Sequence, residues 1–344
     1  MRSVYFDELI SFLSPIGGIS RYFQNLASEN ASPISNSFFI RPHTSLVNVF
    51  CSLVRPLLHP RSIYHPTYIN PFIFLYRNPV VFTIHDLIFE LQRPHLTEVN
   101  FFIYHLSVFF RRLCALRADA IIVPSYSTKY DLLKVYPFIS PSKIHVIFHG
   151  LDHFDYSDPG ICPDSSLPHQ SFILFVGSRA EYKGFHVLLS AIASLPSHIR
   201  PKLVCVGKPF NREELLLLDR TTIDSVSIPA SNHQLSWLYK NCGVFVYSSF
   251  CEGFGFPPLE AYFHGTNFIV CSRISTSVEF CSDFAHFYDP LNSSELTSLL
   301  TALLSKDTSI QYSSQPLPLI PDNFSWSSCS SLHSSLYQSL LQQR

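Results

Sequence analysis

The chain has 344 residues, too many for one small core and about right for two domains of ordinary size. Hydrophobic residues supply 47% and charged residues only 14%, against roughly 25% in an average globular protein, so buried sheets are well provided for and polarity falls to serine, proline and histidine. With 24 Lys+Arg against 25 Asp+Glu the net charge is -1, which excludes the basic excess of a nucleic-acid binder.

The N-terminal run Val4-Tyr5-Phe6 reads as a strand, and Gly17-Gly18 opens a helix over Ile19–Ser28. Val80-Val81-Phe82-Thr83-Ile84 is a second strand, rich in β-branched residues. A helix over Asn100–Leu116, a strand over Ala120–Val123, a helix over Ser127–Val135 and a strand over Ile144–Ile147 follow. The pattern breaks between Asp152 and His169, a turn-rich stretch that reads as the interdomain linker. Alternation then resumes. Strands are predicted over Phe172–Val176, Leu203–Val206, Ser225–Ile228, Val244–Tyr247 and Phe268–Cys271. The helices between them cover Phe185–Leu195, Arg212–Leu218, Asn232–Lys240 and Pro258–His264, and Trp326–Leu341 closes the chain as an amphipathic helix. Strands alternating with helices imply parallel pairing, and doubly wound domains hold ligands at the carboxyl ends of their strands. The predicted division is 1–155, 170–325 and a C-terminal helix over 326–344.

Nine cysteines without a Cys-x-x-Cys signal neither a zinc site nor a redox pair. Asp7 and Glu8 argue against a signal peptide, and no run of about 18 apolar residues marks a membrane span. These features predict a reduced, cytoplasmic, soluble protein. Phe101–Arg112 is aromatic on most faces and ends in two arginines. It reads first as a helix buried under the first sheet, and alternatively as a peripheral contact with the inner face of the membrane.

The strongest motif runs from Ser249 to Ala261, directly after the predicted strand Val244–Tyr247. Glu252 falls in the loop, Gly253 and Gly255 let backbone approach a ligand, and Pro257-Pro258 suits a helix start with Glu260 in its first turn. Alone, Glu260 reads as an acid stabilising a helix start. With Glu252 it makes a pair of carboxylates suited to sugar hydroxyls. The run Val176–Gly184 likewise joins a strand to a helix and carries Arg179 and Lys183, cations placed to cradle a diphosphate. Gly17-Gly18 occupies a strand-to-helix turn but is not Gly-x-Gly-x-x-Gly, so dinucleotide binding is not indicated. His85-Asp86 ends a strand.

In this order the four pieces resemble the retaining GT-B glycosyltransferases of family 4 (group 1), in particular the lipopolysaccharide and capsule branch that contains mannosyltransferases. The resemblance implies two Rossmann-like doubly wound domains facing a central cleft, an α/β fold whose first domain takes the acceptor and whose second takes the nucleotide-sugar donor. It implies that Arg179 and Lys183 hold the donor diphosphate, Glu252 binds the transferred sugar and Glu260 the ribose. The backbone at Gly253, Phe254 and Gly255 would line sugar and phosphate. Gly17 and Gly18 would contribute to donor binding, and His85 would stand near the anomeric carbon. Activity would be transfer of a hexose, mannose or glucose, from a GDP- or UDP-hexose to a glycan or lipid-linked glycan, by front-face attack. The alternatives left open are a GT-B nucleotide-sugar epimerase and a non-catalytic nucleotide- or glycan-binding protein. No Asp-x-Asp occurs, so neither a metal nor another cofactor is expected, and the diphosphate charge falls to Arg179, Lys183 and helix N-termini.

Overall fold

The computed structural model describes residues 4–14, 17–29, 45–92, 100–167, 171–305 and 317–342. Pro168 and His169, at the end of the expected linker, lie outside these residues. The chain divides into two compact units, and it passes from the first to the second between Asp152 and His153 and back between Ile320 and Pro321.

Unit 1 pairs β1 (Val4–Tyr5) in parallel with β2 (Ile63–Tyr64), and sets β3 (Val81–Thr83), β4 (Ala120–Val123) and β5 (Ile144–Val146) side by side in a second parallel sheet. A bridge from Tyr64 to Val80 joins the two sheets. Around them lie α1 (Leu9–Leu13), α2 (Gly18–Glu29), α3 (Leu46–Leu58), α4 (Ile88–Leu91), α5 (Phe101–Arg117) and α6 (Tyr126–Val135). β4 is buried along its whole length, as a parallel strand covered on both faces must be. Ser125 caps α6 by accepting from the Thr128 amide at 2.9 Å. The early acid Asp7 is fully buried, its carboxylate accepting from Tyr64 and Thr67.

Unit 2 is a six-stranded parallel sheet in the order β11-β10-β9-β6-β7-β8, made of β6 (Phe172–Val176), β7 (Lys202–Val206), β8 (Ser225–Ile228), β9 (Val244–Tyr247), β10 (Ile269–Ser272) and β11 (His286–Tyr288). Its helices are α7 (Phe185–Ala193), α8 (Arg212–Thr221), α9 (Asn232–Asn241), α10 (Phe256–Phe263), α11 (Ser275–Cys281) and α12 (Ser293–Leu304). From β6 the chain winds outward to β8, then returns to β9 on the other side of β6, so the strand order reverses between β6 and β9. That switch point is where an open parallel sheet leaves a crevice at its carboxyl edge. The two motifs singled out in the sequence follow these two strands.

The last helix, α13 (Trp326–Gln342), belongs to unit 1 and packs against α2. It is fastened by polar contacts: Tyr22 Oη to His333 Nε2 at 2.6 Å, and Tyr337 Oη to His65 Nδ1 at 2.7 Å. Asp152 accepts from the Trp326 amide at 2.8 Å and so caps it.

Two expectations need correction. The helix over Asn100–Leu116 forms within a residue of its predicted ends, but its first half is not buried. Phe101, Phe102, Ile103, Leu106 and Phe109 are all exposed, Phe102 to 80%. Only Arg111, Cys114 and Ala115 are buried, the last two in the core cluster that holds Phe82 and Ile121 of the sheet. The helix after the carboxylate motif starts at Phe256, two residues earlier than predicted, because Gly255 at φ 87° supplies the left-handed N-cap. Glu260 is therefore one turn inside the helix and not at its start.

Candidate donor site of unit 2

The loop after β6 tightens into one turn of 3-10 helix over Glu181–Lys183 and ends at Gly184, at φ 64°. A Cβ at Gly184 would stand 2.1 Å from the Ser248 carbonyl oxygen, so only glycine lets this loop lie against the loop after β9. Two hydrogen bonds fasten the loops together: Ser248 Oγ donates to the Lys183 carbonyl at 2.8 Å, and the Phe250 amide to the Tyr182 carbonyl at 2.7 Å.

This arrangement brings Lys183 and Glu252 together. The Lys183 ammonium donates to Glu252 Oε1, with the two side chains 17% and 13% exposed. Lys183 also stands over the rings of Tyr182 and Tyr247, at 5.3 and 5.9 Å. The Glu252 carbonyl accepts from Thr276 Oγ1 at 2.6 Å, which holds the loop to α11. Phe254 is buried between Phe256 and Phe280 and anchors the stretch from Gly253 to Gly255.

Arg179 is committed elsewhere. Its Nε and Nη2 grip the Glu214 carboxylate at 2.7 and 3.2 Å, and Nη2 also donates to the carbonyls of Lys208 and Pro209. The guanidinium lies 4.8 Å from the centre of the Phe210 ring. Glu214 at the same time completes the capping box of α8 with Asn211. Arg179 thus ties the β6 loop to α8. Only Nη1, buried and without a hydrogen-bond partner among the described residues, is left for a ligand.

Glu260 is also enclosed. It is 4% exposed, Oε2 accepts from Tyr239 at 2.8 Å, and Oε1 pairs with His153 Nε2 at 3.0 Å. The carboxylate and its hydrogen bond push the buried Tyr239 phenol further up, beyond the effect of burial. Sequence reasoning missed both partners. Tyr239 reads as one more apolar residue of α9, and His153 falls in a stretch taken only for linker.

In unit 1 the structure brings Gly17-Gly18 near His85: Ile19 and His85 line one small cavity of about 40 Å³ with Thr67, Asp86 and Arg111. Gly17 accepts from the Arg21 amide at 3.0 Å as α2 begins. A Cβ at Gly18 would touch nothing within 4 Å, so the space above the helix start is open. His85 lies 4.8 Å from the Tyr22 ring and 5.6 Å from His149, and its Nε2 is buried without a hydrogen-bond partner among the described residues. Burial first, then the charges of Arg111 and His333, lower its pKa to about 3, so the ring is neutral at ordinary pH. Arg111 is no surface anchor. It binds Glu90 at 2.9 Å and the Asp86 carbonyl at 3.0 Å, while Arg117 binds Asp119. None of the nine cysteines forms a disulfide, and seven of them are buried. Among the described residues no group of three or more His, Cys, Asp or Glu could hold a metal ion.

Two parallel α/β units, the second with a cation and a carboxylate side by side at its topological switch point, define a GT-B protein. The Glycosyl transferases group 1 family matches residues 165–314, and the Glycosyltransferase Family 4 matches residues 31–153. The chain belongs to glycosyltransferase family 4, group 1. It is similar to the alpha-maltose-1-phosphate synthase of Mycolicibacterium smegmatis, 28% identical over 205 residues that cover 54% of this chain and 52% of that protein. It is also similar to the O-antigen chain mannosyltransferase RfbU of Salmonella typhimurium, 25% identical over 63% of this chain and 58% of that one. The matches thus span about half the length of these relatives. The fold matches Anabaena HepE, solved in complex with UDP-glucose, with a TM-score of 0.60 at 16% identity over 100% of this chain and 98% of that one.

Proposed function

We propose that the chain is a retaining hexosyltransferase that moves a hexose, mannose or glucose, from a GDP- or UDP-hexose onto a glycan or lipid-linked glycan in polysaccharide biosynthesis. The observation that carries this reading is the Lys183–Glu252 juxtaposition at the switch point of unit 2. It offers one cation to a diphosphate and one carboxylate to sugar hydroxyls. HepE on the same fold takes UDP-glucose, and the Salmonella relative is a mannosyltransferase.

In this reading the charge that develops on the departing diphosphate is met by Lys183, by Nη1 of Arg179 and by the N-terminal amides of α7 and α10. No metal is needed for that task. Glu252 orients the sugar. His85 serves as a neutral hydrogen-bonding group beside the reacting centre, and the phosphate oxygen takes the proton of the acceptor hydroxyl. Glu260, closed in by Tyr239 and His153, contributes to the ribose pocket by fixing the start of α10.

The exposed aromatic face of α5, which packs against the 3-10 turn Ile73–Leu75 with its exposed neighbours Phe72, Phe74 and Leu75, favours an acceptor presented at a membrane surface. Arg111 and Arg117 are used internally, and Arg112, exposed beside the Phe138 ring, is the arginine of α5 left at the surface. No helix among the described residues is long and apolar enough to cross a membrane.

The test is transfer from a panel of GDP- and UDP-hexoses to lipid-linked acceptors in vesicles, run in EDTA, with the anomeric configuration of the product read by NMR. Expected is metal-independent transfer with retention. Transfer abolished by EDTA and restored by magnesium or manganese would contradict the charge assignment. Donor epimerised without any acceptor would favour the epimerase.

A further inference from the structure

Lys183 and Glu252 are opposite charges, each suited to a different part of the donor, and in the structure they satisfy one another. Neither can swing far. The Lys183 backbone is fixed by Ser248 and the Glu252 backbone by Thr276, so only side-chain torsions can part the pair. Both side chains are more than four-fifths buried, where a charge deprived of its partner is costly.

We infer that this pair makes the site selective for the intact nucleotide sugar over the nucleoside diphosphate left after transfer. The inference assumes the donor-site reading above. A nucleoside diphosphate draws Lys183 to its phosphates and leaves Glu252 charged, largely buried and unpaired. An intact sugar nucleotide draws Lys183 in the same way, but its sugar hydroxyls donate to the Glu252 carboxylate at once. The cost of breaking the pair therefore falls on the product and is offset for the substrate. Glu252 is a specificity residue as well as a sugar ligand: it disfavours retention of the spent nucleotide.

The experiment is calorimetric titration of the full chain with UDP, GDP, UDP-glucose and GDP-mannose. In the wild type the intact donor binds more tightly than its nucleoside diphosphate. Glu252→Gln removes the competing charge, so the diphosphate should bind about tenfold more tightly while the donor gains nothing, and the preference collapses. The gain must pass through Lys183, so the double variant Lys183→Gln/Glu252→Gln should lose it. Glu252→Ala, read in the same way, serves if the glutamine variant is unstable. Unchanged or weaker diphosphate binding in Glu252→Gln, or tightening that persists without Lys183, overturns the inference. Absence of binding by every nucleotide in the wild type would overturn the donor-site reading together with it.

Discussion

The two units handle polar side chains in opposite ways. At the switch point of unit 2 they meet as ion pairs, Lys183 with Glu252 and Arg179 with Glu214, while the Glu260 carboxylate is enclosed by the Tyr239 hydroxyl and His153. In unit 1, where α2, β3 and α13 come together, they meet as neutral rings and hydroxyls. His333 receives the Tyr22 hydroxyl at Nε2 and donates from Nδ1 to the Cys329 carbonyl, while His65 bridges Tyr337 and Thr83. On the donor-site proposal the charges of unit 2 exchange partners with a charged ligand, whereas His65 and His333 of unit 1 fasten its elements together while remaining uncharged.

The sharpest way to break this comparison is to remove the two cations of unit 2 separately. Lys183→Ala should lower turnover by about 10²- to 10³-fold, because it removes stabilisation of the departing phosphate. Its unfolding temperature should fall as well, because Glu252 is left charged, largely buried and without its cation. Arg179→Ala should lower turnover and also cost roughly 1.5–3 kcal/mol of stability, because Glu214 loses a bidentate partner. Turnover assays beside thermal unfolding check both variants. An Arg179 variant with no loss of stability would show that Arg179 is not the clamp described above.

Lowering the pH tests unit 1. Burial holds His85 at about 3 and His333 at about 4, and lowers His65 and His149 well below the usual value near 6.5. His264 of unit 2, at about 4, behaves alike. For a histidine lowered in the folded state, the unfolded chain binds the proton first. The stabilisation is complete above about pH 6.5 and is lost as pH falls toward 4, at up to about 1.4 kcal/mol per pH unit for each group. The carboxyl of Asp7, raised by burial, has the opposite sign and gains as pH falls. Unfolding temperatures measured from pH 7.5 down to 5 should fall steadily. A flat profile would contradict the neutral cluster.

The same contrast governs what could be read from the sequence. Five of the six strands of unit 2 were legible to within about a residue, most clearly the apolar run Phe172–Val176, whereas β11 was not assigned. Both motif loops were legible because their glycines and charges follow such runs at short spacing. The partners of those charges were not, since Glu214 and Tyr239 lie 35 and 21 residues from the side chains they hold. The cluster of unit 1 draws on positions 22, 65, 85 and 333, and nothing local distinguishes a histidine that will be buried from one that will not. Nothing was assigned between Ser28 and Val80, where α3 forms with Pro56 in its last turn, nor at α11 and α12, whose serines and threonines give a weak helical signal. The apolar composition of α5 suggested burial. Composition does not say which face finds a sheet, and most of this one finds none.

The central claim is that the carboxyl edge of unit 2 between β6 and β9 binds a nucleotide sugar through Lys183. It is tested most directly by thermal unfolding of the wild type and Lys183→Ala across a concentration series of GDP- and UDP-hexoses. A ligand that binds only the native state at a hundred times its dissociation constant adds about 2.7 kcal/mol. The account predicts a saturable rise in unfolding temperature for at least one donor in the wild type and its loss in Lys183→Ala. A rise of the same size in both proteins, or none in the wild type with any donor, would contradict it.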